Sequence, residues 1–444
     1  MTSSPMPAVE RRVVITGLGL VSPLGIGPER FWSALAEGQS GVGPIQAFDV
    51  GDRAPNAGGE VRDFNPKALA IDKHRKALGK NLKYMARDIQ LAVAAAELAV
   101  VDGGLVEGGI DPTRIGIGLG AGLISTDLDE LADAINIATR ADGSFDFETY
   151  GRDGIPVIDP LWLLKYLPNM LACHIGILND CQGPSNTITE AEAASNLAIG
   201  EACRIIQRGK ADVMVSGGAD SKIHPLSLVR LRLLNNLSQW RGDPSQAVKP
   251  FDRRRDGWVP GEGAGILILE DREHAQRRHA RIYGEILGFG SGCDAHPGGG
   301  LDPDGIGTEI AMRAALRDAG LAPEEIGHVN AHGAATVVSD LAEARAIGRV
   351  FGEGGRTVPV TALKGYMGNL ASGCGSVELI ASLLGVRHGL IPSILNCDEP
   401  DPACEPLDLV REQPRPTDNP TFLTTNLTRH GQAAALVVRG YPNG

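Results

Sequence analysis

The sequence predicts an α/β protein in which mostly parallel sheets are covered by helices. Short apolar runs typical of buried strands alternate with helical segments along the chain, and parallel strands need such crossovers. The pattern begins again near residue 270, which predicts two similar halves, 11–270 and 271–444, although no clear sequence repeat is present. The 444 residues, of which 43% are hydrophobic, can bury a large core. Residues 1–10 are expected to be a flexible lead-in.

The first half is predicted to begin with a buried strand at 12–19 that runs into glycines. A basic segment at 73–83 precedes a helical run at 85–101, where apolar residues on more than one face indicate burial. The remaining predicted elements are strands at 115–120, 211–219 and 264–270, and an insertion of helix and loop at 124–166.

The second half repeats the alternation of strands and helices. Its predicted strands lie at 282–288, 327–331, 358–361, 421–425 and 433–438, and its predicted helices at 306–319, 340–351 and 373–388.

Composition excludes several classes of function. The 42 basic and 54 acidic residues give a net charge of −12, which is unfavourable for holding nucleic acid. The seven cysteines are scattered without CxxC spacing, so neither a metal site nor a disulfide framework is expected. No run of 18 uncharged apolar residues and no signal-peptide order are present, so a cytoplasmic protein without a membrane span is expected.

The segment 167–202 is the most informative part of the chain. It is predicted to form a short helix, a Gly-Pro turn, a strand, a tight corner at Glu190–Ser195 and a second helix. A sharp strand-to-helix corner presents one side chain at a helix N-terminus, where free N–H groups favour an anion. Enzymes use such corners to hold a nucleophile.

Several motifs occur in a fixed order around this corner. They are PFDRRRDGWVPGEGA at Pro250–Ala264, NAHGAAT at Asn330–Thr336 with Asp340 and Glu343 beyond it, and KGYMGN at Lys364–Asn369. Together with the corner, they resemble the β-ketoacyl-acyl-carrier-protein synthases of the thiolase superfamily, from about Arg11 to Gly440. The resemblance implies a five-layered αβαβα thiolase-like fold with two duplicated halves. The charges of the first motif favour an internal ion-pair network that braces the site.

The chain departs from the family at the residues that perform the chemistry. Glu192 stands where the resemblance places the cysteine nucleophile, and Asn369 stands at the second histidine. His332 matches the first histidine and Lys364 matches the motif lysine. Arg429 falls where a phenylalanine gates the acyl pocket of the family. The resemblance therefore implies a Glu-His-Asn site in place of Cys-His-His.

This substitution argues against condensation by the chain alone. A thiolate holds an acyl chain as a thioester, whereas a carboxylate is a weak nucleophile that would form a labile mixed anhydride. Glu192 is expected to be ionised and held by the helix N-terminus, and possible partners are Lys364 and His332.

Three functions are compatible with these departures. The first is a chain length factor of type II polyketide or fatty-acid-like biosynthesis, paired with an active Cys-His-His ketosynthase, although a homodimer is also open. The second is a malonyl-acyl-carrier-protein decarboxylase or otherwise repurposed acyltransferase that uses Glu192, His332 and Asn369. The third is a non-catalytic scaffold that binds acyl carrier protein.

The basic segment has two interpretations. Arg75, Lys76, Lys80 and Lys83 either form a solvated surface or receive an acidic partner. By resemblance the partner is acyl carrier protein, which would deliver its phosphopantetheine arm, and no resident cofactor is expected.

Overall fold

A computed structural model describes residues 11–51, 55–106, 108–234, 237–352 and 357–442. The lead-in predicted at residues 1–10 lies outside the described residues.

The strands are β1 Val13–Ser22, β2 Gly25–Ile26, β3 Val42–Gly43, β4 Gly58–Gly59, β5 Ile115–Ala121, β6 Ser185–Ile188, β7 Val213–Ser221, β8 Glu262–Asp271, β9 Gly284–Cys293, β10 His328–Ala331, β11 Pro359–Ala362, β12 Leu390–Ile391, β13 Asp408–Leu409, β14 Arg415–Pro416, β15 Thr421–Leu427 and β16 Gln432–Gly440.

The α-helices are α1 Pro28–Ala36, α2 Pro66–Leu69, α3 Asp72–Asn81, α4 Arg87–Asp102, α5 Asp129–Ala138, α6 Phe147–Thr149, α7 Met170–Asn179, α8 Ala194–Gln207, α9 Pro225–Leu233, α10 Arg272–Arg277, α11 Ile306–Ala319, α12 Val337–Phe351, α13 Lys364–Met367 and α14 Cys374–His388. Two 3₁₀ turns matter for the site, Ala191–Ala193 before α8 and Ala371–Gly373 before α14.

The main sheet is mixed rather than mostly parallel. Its strand order is β13-β11-β10-β15-β16-β9-β1-β8-β7-β5-β6, with β2 paired to β1. The strands towards the two ends of this order pair in parallel: β13, β11, β10 and β15 at one end, and β7, β5 and β6 at the other. The pairs between them, from β15–β16 through β9 and β1 to β8–β7, are antiparallel. The expectation of mostly parallel sheets was therefore wrong at the centre. A connection as short as that from β15 to β16 allows only an antiparallel pair.

Two halves of the sheet meet at a short seam. β1 and β9 pair over Val13–Ile15 alone, and this pairing joins the strands that end by Asp271 to those that begin at Gly284. The predicted boundary between residues 270 and 271 falls near this seam and stays a prediction.

Helices cover both faces of each half-sheet. Along β8, Leu267 and Leu269 pack in one hydrophobic cluster with α8 and α14, while Ile266 and Ile268 pack in another with α4 and α7. This alternation is the period of two that a strand imposes. A third cluster joins β10, β11, β15 and β16 to α11 and α12. The layers therefore follow one another in this order: the helices α4 and α7, the half-sheet that contains β8, the central helices α8 and α14, the half-sheet that contains β10 and β15, and the helices α11 and α12.

Many predicted elements are observed close to their predicted positions. The helix predicted at 306–319 is α11, and those predicted at 340–351 and 373–388 are α12 and α14. The insertion at 124–166 contains α5, α6 and several single turns. Among the described helices, none combines the length and the apolar composition needed to cross a bilayer.

The contact between β1 and α4 gives a test of the packing. A Cβ atom added at Gly19 would lie 1.8 Å from the carbonyl oxygen of Ala95. Because this neighbour is backbone, Gly19→Ala is expected to lower the free energy of unfolding by about 1–3 kcal/mol or more. Urea unfolding measures the change. Gly151→Ala is the matched control, since no atom lies within 4 Å of its added Cβ. Equal stability of the two variants would contradict this packing.

Candidate active site

The predicted corner is formed by β6, the 3₁₀ turn Ala191–Ala193 and α8. Ala191 adopts a left-handed backbone with φ 40°, an uncommon conformation for a residue other than glycine. Glu192 follows it and is only 8% exposed. A second corner of the same form precedes α14, where Ala371 has φ 45°. The two corners lie against each other, so the fold brings the sequence-distant Glu192 and Asn369 together.

Glu192 is hydrogen bonded to Asn369. The Asn369 Nδ2 atom donates to Glu192 Oε1 at 3.4 Å. Burial raises the pKa of Glu192 above its ordinary value, and a hydrogen bond from the backbone of Glu192 and the positive charges of Lys364 and Lys222 only partly offset this effect. The expected ionisation of Glu192 stays a prediction. The hydrogen-bond partner is Asn369, rather than Lys364 or His332.

The tautomer of His332 follows from its neighbour Asn426. The Asn426 Nδ2 group donates to Glu378 Oε2 at 2.7 Å and lies 3.2 Å from His332 Nδ1. Its Oδ1 atom accepts from Asn196 at 2.7 Å, which fixes the orientation of the amide. Since an amide nitrogen only donates, His332 Nδ1 accepts and the ring proton lies on Nε2. Burial and Lys364 hold the pKa of His332 well below its usual range, so the ring is neutral.

Lys364 lies behind this histidine. Its Nζ atom donates to Glu378 Oε1 at 2.7 Å and to the backbone oxygen of His332 at 2.5 Å, and it is fully buried. Burial alone would lower the pKa of Lys364, but the nearby acidic groups, including Glu378 and Glu343, raise it overall. Lys364 is therefore a positive charge that holds the His332 backbone in place.

The loop after β10 is held by a carboxyl group. The backbone N–H groups of His332 and Gly333 donate to Glu343 at 2.7 and 2.9 Å. Burial raises the pKa of Glu343 to about 8. Nearby, Arg255 pairs with Asp401 at 2.7 Å and lies 3.8 Å from Asp340. Arg255 of the motif Pro250–Ala264 therefore forms internal ion pairs beside this loop, in agreement with the predicted bracing role.

A cavity of about 690 Å³ opens beside the corner. Glu192, His332, Lys222 and Arg429 line it, together with apolar side chains that include Leu231, Leu234, Trp258, Leu301, Val338 and Leu427. Lys364 and Asn369 are not part of its wall and act from behind it. Arg429 is exposed on the hairpin loop between β15 and β16. Its predicted role as a gate stays a prediction.

Lys222 was not singled out from the sequence. It follows β7 and donates to Asp220 at 2.5 Å, so a cation and a buried carboxylate stand beside Glu192. Asp220 and Lys222 directly follow the strand predicted at 211–219, and side chains at the carboxyl ends of such strands often line binding sites. This position could have identified them from the sequence. Asn196, Glu378 and Asn426 were also missed. Each stands within a regular helix or strand, where no local pattern distinguishes it.

The basic segment lies apart from the cavity wall. Arg75, Lys76 and Lys80 are exposed on α3, and Lys83 is exposed in the turn that follows. Arg75 pairs with Asp72 at 2.8 Å. Their role in docking stays a prediction. Among the described residues, no cluster of three or more His, Cys, Asp or Glu side chains could hold a metal ion.

Sequence comparison defines the class of protein. The beta-ketoacyl synthase N-terminal domain matches residues 10–275, and the C-terminal domain matches residues 283–398. The chain belongs to the beta-ketoacyl synthase family, and its fold is the thiolase-like fold of that family.

Individual relatives match over nearly the whole chain. The 3-oxoacyl-[acyl-carrier-protein] synthase 2 of Synechocystis is 35% identical over 97% of this chain and 99% of its own length. The ishigamide ketosynthase/chain length factor is 32% identical with a TM-score of 0.82, covering 98% of this chain and 100% of the matched chain. A type II PKS acyl-carrier protein in complex with its ketosynthase bound to the hexaketide matches at 28% identity with a TM-score of 0.83, covering 97% and 100% of the two chains.

The raised pKa of Glu192 predicts a pH-dependent stability difference. The fold favours the protonated carboxyl, so this stabilisation is complete below the ordinary pKa of 4.5 and is lost as pH rises through the raised value. Glu192→Gln is neutral at every pH. Its melting temperature should therefore match that of the wild type in acid and exceed it increasingly towards neutral and alkaline pH.

Thermal melts at several pH values measure this difference. Glu190→Gln is the matched control, because Glu190 is exposed and two residues away. A Glu192→Gln variant that loses stability relative to the wild type as pH rises would show that the carboxylate is the favoured form.

Proposed function

We propose that this chain is a non-condensing ketosynthase-like subunit of the chain length factor type. It pairs with an active Cys-His-His ketosynthase in type II polyketide or fatty-acid-like biosynthesis on acyl carrier protein. The observation that carries the proposal is the buried Glu192 side chain at the corner where the family resemblance places a thiol.

Chemistry at the corner supports a role without condensation. Condensation needs a nucleophile that holds an acyl group long enough for the second substrate to react. Glu192 lacks a thiol, its raised pKa reduces the fraction of carboxylate, and Asn369 engages one of its oxygens. Asn369 also cannot supply the second imidazole. Of the three positions of the Cys-His-His set, only His332 keeps the residue type that the family resemblance implies.

The relatives support both parts of the proposal. The 3-oxoacyl-acyl-carrier-protein synthases establish the family, and one structural neighbour is described as a ketosynthase/chain length factor. Another neighbour is described as a ketosynthase in complex with an acyl-carrier protein. Since these names describe the relatives, the proposal of a non-condensing role for this chain rests on Glu192 and Asn369.

A surface suited to association with another subunit lies near the corner between β6 and α8. β6 is the last strand in the order of the main sheet, so one of its backbone edges faces outward among the described residues. Exposed apolar side chains occur in the preceding segments, among them Phe147, Val157 and Ile177. An open edge and exposed apolar groups favour association with another chain. We assign this surface to the ketosynthase partner.

The remaining expectations form part of the same proposal. Acyl carrier protein presents its phosphopantetheine arm to the complex, no resident cofactor is required, and the complex works in the cytoplasm.

Malonyl decarboxylation is the second candidate function. The neutral His332 ring carries its proton on Nε2, and His332 lines the cavity. Such a donor could stabilise an enolate oxygen. Release of carbon dioxide from malonyl-acyl carrier protein by the purified chain, abolished in His332→Ala, would favour this function. The scaffold function would be favoured by co-purification with carrier protein but with no ketosynthase.

Co-expression with a candidate Cys-containing ketosynthase tests the leading function. A stable heterodimer is expected, with chain extension that neither subunit performs alone. Glu192→Cys is expected not to give the isolated chain condensing activity, because Asn369 remains in place of a histidine. Size-exclusion chromatography and product analysis by mass spectrometry provide the readouts. A homodimer that excludes every ketosynthase tested would contradict the pairing.

Charge reversal tests the basic surface on α3. The double variant Lys76→Glu/Lys80→Glu is expected to weaken binding of acyl carrier protein roughly tenfold at low salt, and the difference should shrink at high salt. Lys210→Glu is the control, since Lys210 is exposed beyond the C-terminal end of α8. Titration of fluorescent carrier protein measures both. Equal weakening in the two variants would assign the effect to net charge rather than to a docking site.

A further inference from the structure

We propose that Glu192 gives this chain a thioester hydrolase activity, in which its carboxylate activates water against an acyl thioester bound in the cavity. The proposal goes beyond the pairing function and does not depend on it. It rests on the position of the Glu192 carboxyl group, the neutral His332 ring and apolar side chains around one cavity.

Glu192 and His332 line the same cavity from different halves of the chain. Asn369 donates to Glu192 Oε1 at 3.4 Å, and the Glu192 side chain forms part of the cavity wall. From that position its carboxylate can accept a proton from a water molecule in the cavity. Asn369 is thus a positioning residue, while Glu192 is the catalytic base.

His332 is suited to bind the carbonyl oxygen of the substrate. Asn426 occupies its Nδ1 atom at 3.2 Å, so the proton on Nε2 is available to a ligand. A neutral imidazole that donates from Nε2 can stabilise the negative charge that develops on the carbonyl oxygen. Lys364 holds the backbone of His332, which keeps the donor in place.

The reaction balances without any further reagent. Glu192 carboxylate removes a proton from water as the water oxygen forms a bond to the thioester carbon. The resulting oxyanion accepts a hydrogen bond from His332 Nε2–H. When the oxyanion collapses, the carbon–sulfur bond breaks, and the protonated Glu192 returns its proton to the leaving sulfur. The products are a carboxylic acid and a free thiol, and Glu192 is regenerated.

The lining of the cavity indicates the class of substrate. Leu231, Leu234, Leu301, Val338 and Leu427 supply an apolar wall, and the volume of about 690 Å³ lies in the usual range for small-molecule pockets. An acyl chain without charged substituents fits this environment. Short polar acyl groups such as malonyl would bring a second carboxylate close to Glu192 and Asp220.

The environment of Glu192 suits a base rather than a nucleophile. A general base works best when its pKa lies near the working pH, and burial raises the pKa of Glu192 towards that range. The charged groups that act on it are Lys364, Lys222 and Asp220. Hydrolysis should therefore increase with pH as Glu192 ionises.

Release of free thiol from octanoyl-pantetheine by the purified chain tests the proposal. Hydrolysis above the buffer rate is expected, and Glu192→Gln should reduce it about 10²–10⁴-fold, the usual contribution of a general base. The exposed Glu190→Gln variant should retain the wild-type rate. Protection of Glu192→Gln from thermal unfolding by octanoyl-pantetheine would show that this variant still folds and binds.

Three outcomes would overturn the proposal. The first is a wild-type rate equal to that of buffer, the second is full activity in Glu192→Gln, and the third is an isotope label on Glu192 itself. Single-turnover hydrolysis in ¹⁸O-water separates the two possible roles of the carboxylate: a base places the label only in octanoic acid, whereas label recovered in the Glu192 peptide would indicate an anhydride and contradict the proposal. Thioester hydrolysis and heterodimer formation are measured separately, so an absence of hydrolysis would not contradict the proposed pairing with a ketosynthase.

Discussion

The buried ion pair between Lys364 and Glu378 is the interaction on which the rest of the site depends. Lys364 also holds the backbone oxygen of His332, and Glu378 orients the Asn426 amide that sets the imidazole tautomer. Both charges are fully buried, so removal of either partner would leave an uncompensated charge that costs about 3–5 kcal/mol. One ion pair therefore controls the position of His332 and the location of its proton.

The two halves of the fold supply matching corners to this site. Left-handed Ala191 and Ala371 each begin a 3₁₀ turn, and a central helix, α8 or α14, follows each turn. These corners bring Glu192 and Asn369 within hydrogen-bond distance. The scaffold of a beta-ketoacyl synthase is thus retained, while the group at its nucleophile corner is an acid with a raised pKa. The same fold occurs in relatives named as 3-oxoacyl-[acyl-carrier-protein] synthase 2 and as a ketosynthase/chain length factor, so the fold alone does not determine the chemistry at this corner.

Much of the fold was predictable because hydrophobic periodicity is local. The helix at 306–319 and the corner before α8 follow from the pattern of their own residues. The antiparallel centre of the sheet was not predictable in this way, since strand direction depends on partners distant in sequence. The ionisation of Glu192 depends on more than the local sequence, since a helix N-terminus favours an anion, whereas burial, which the whole fold sets, raises the pKa of the carboxyl group. Asn426 could not be identified, because its role depends on long-range contacts with Glu378 and His332.

A corner without a thiol is not expected to extend an acyl chain unaided. The most direct measurement is incubation of the purified chain alone with acyl- and malonyl-acyl carrier protein, followed by intact-protein mass spectrometry of both the chain and the carrier. We expect no acyl adduct on the chain and no β-ketoacyl product on the carrier. A β-ketoacyl product formed without any companion subunit would show that this corner supports condensation without a thiol.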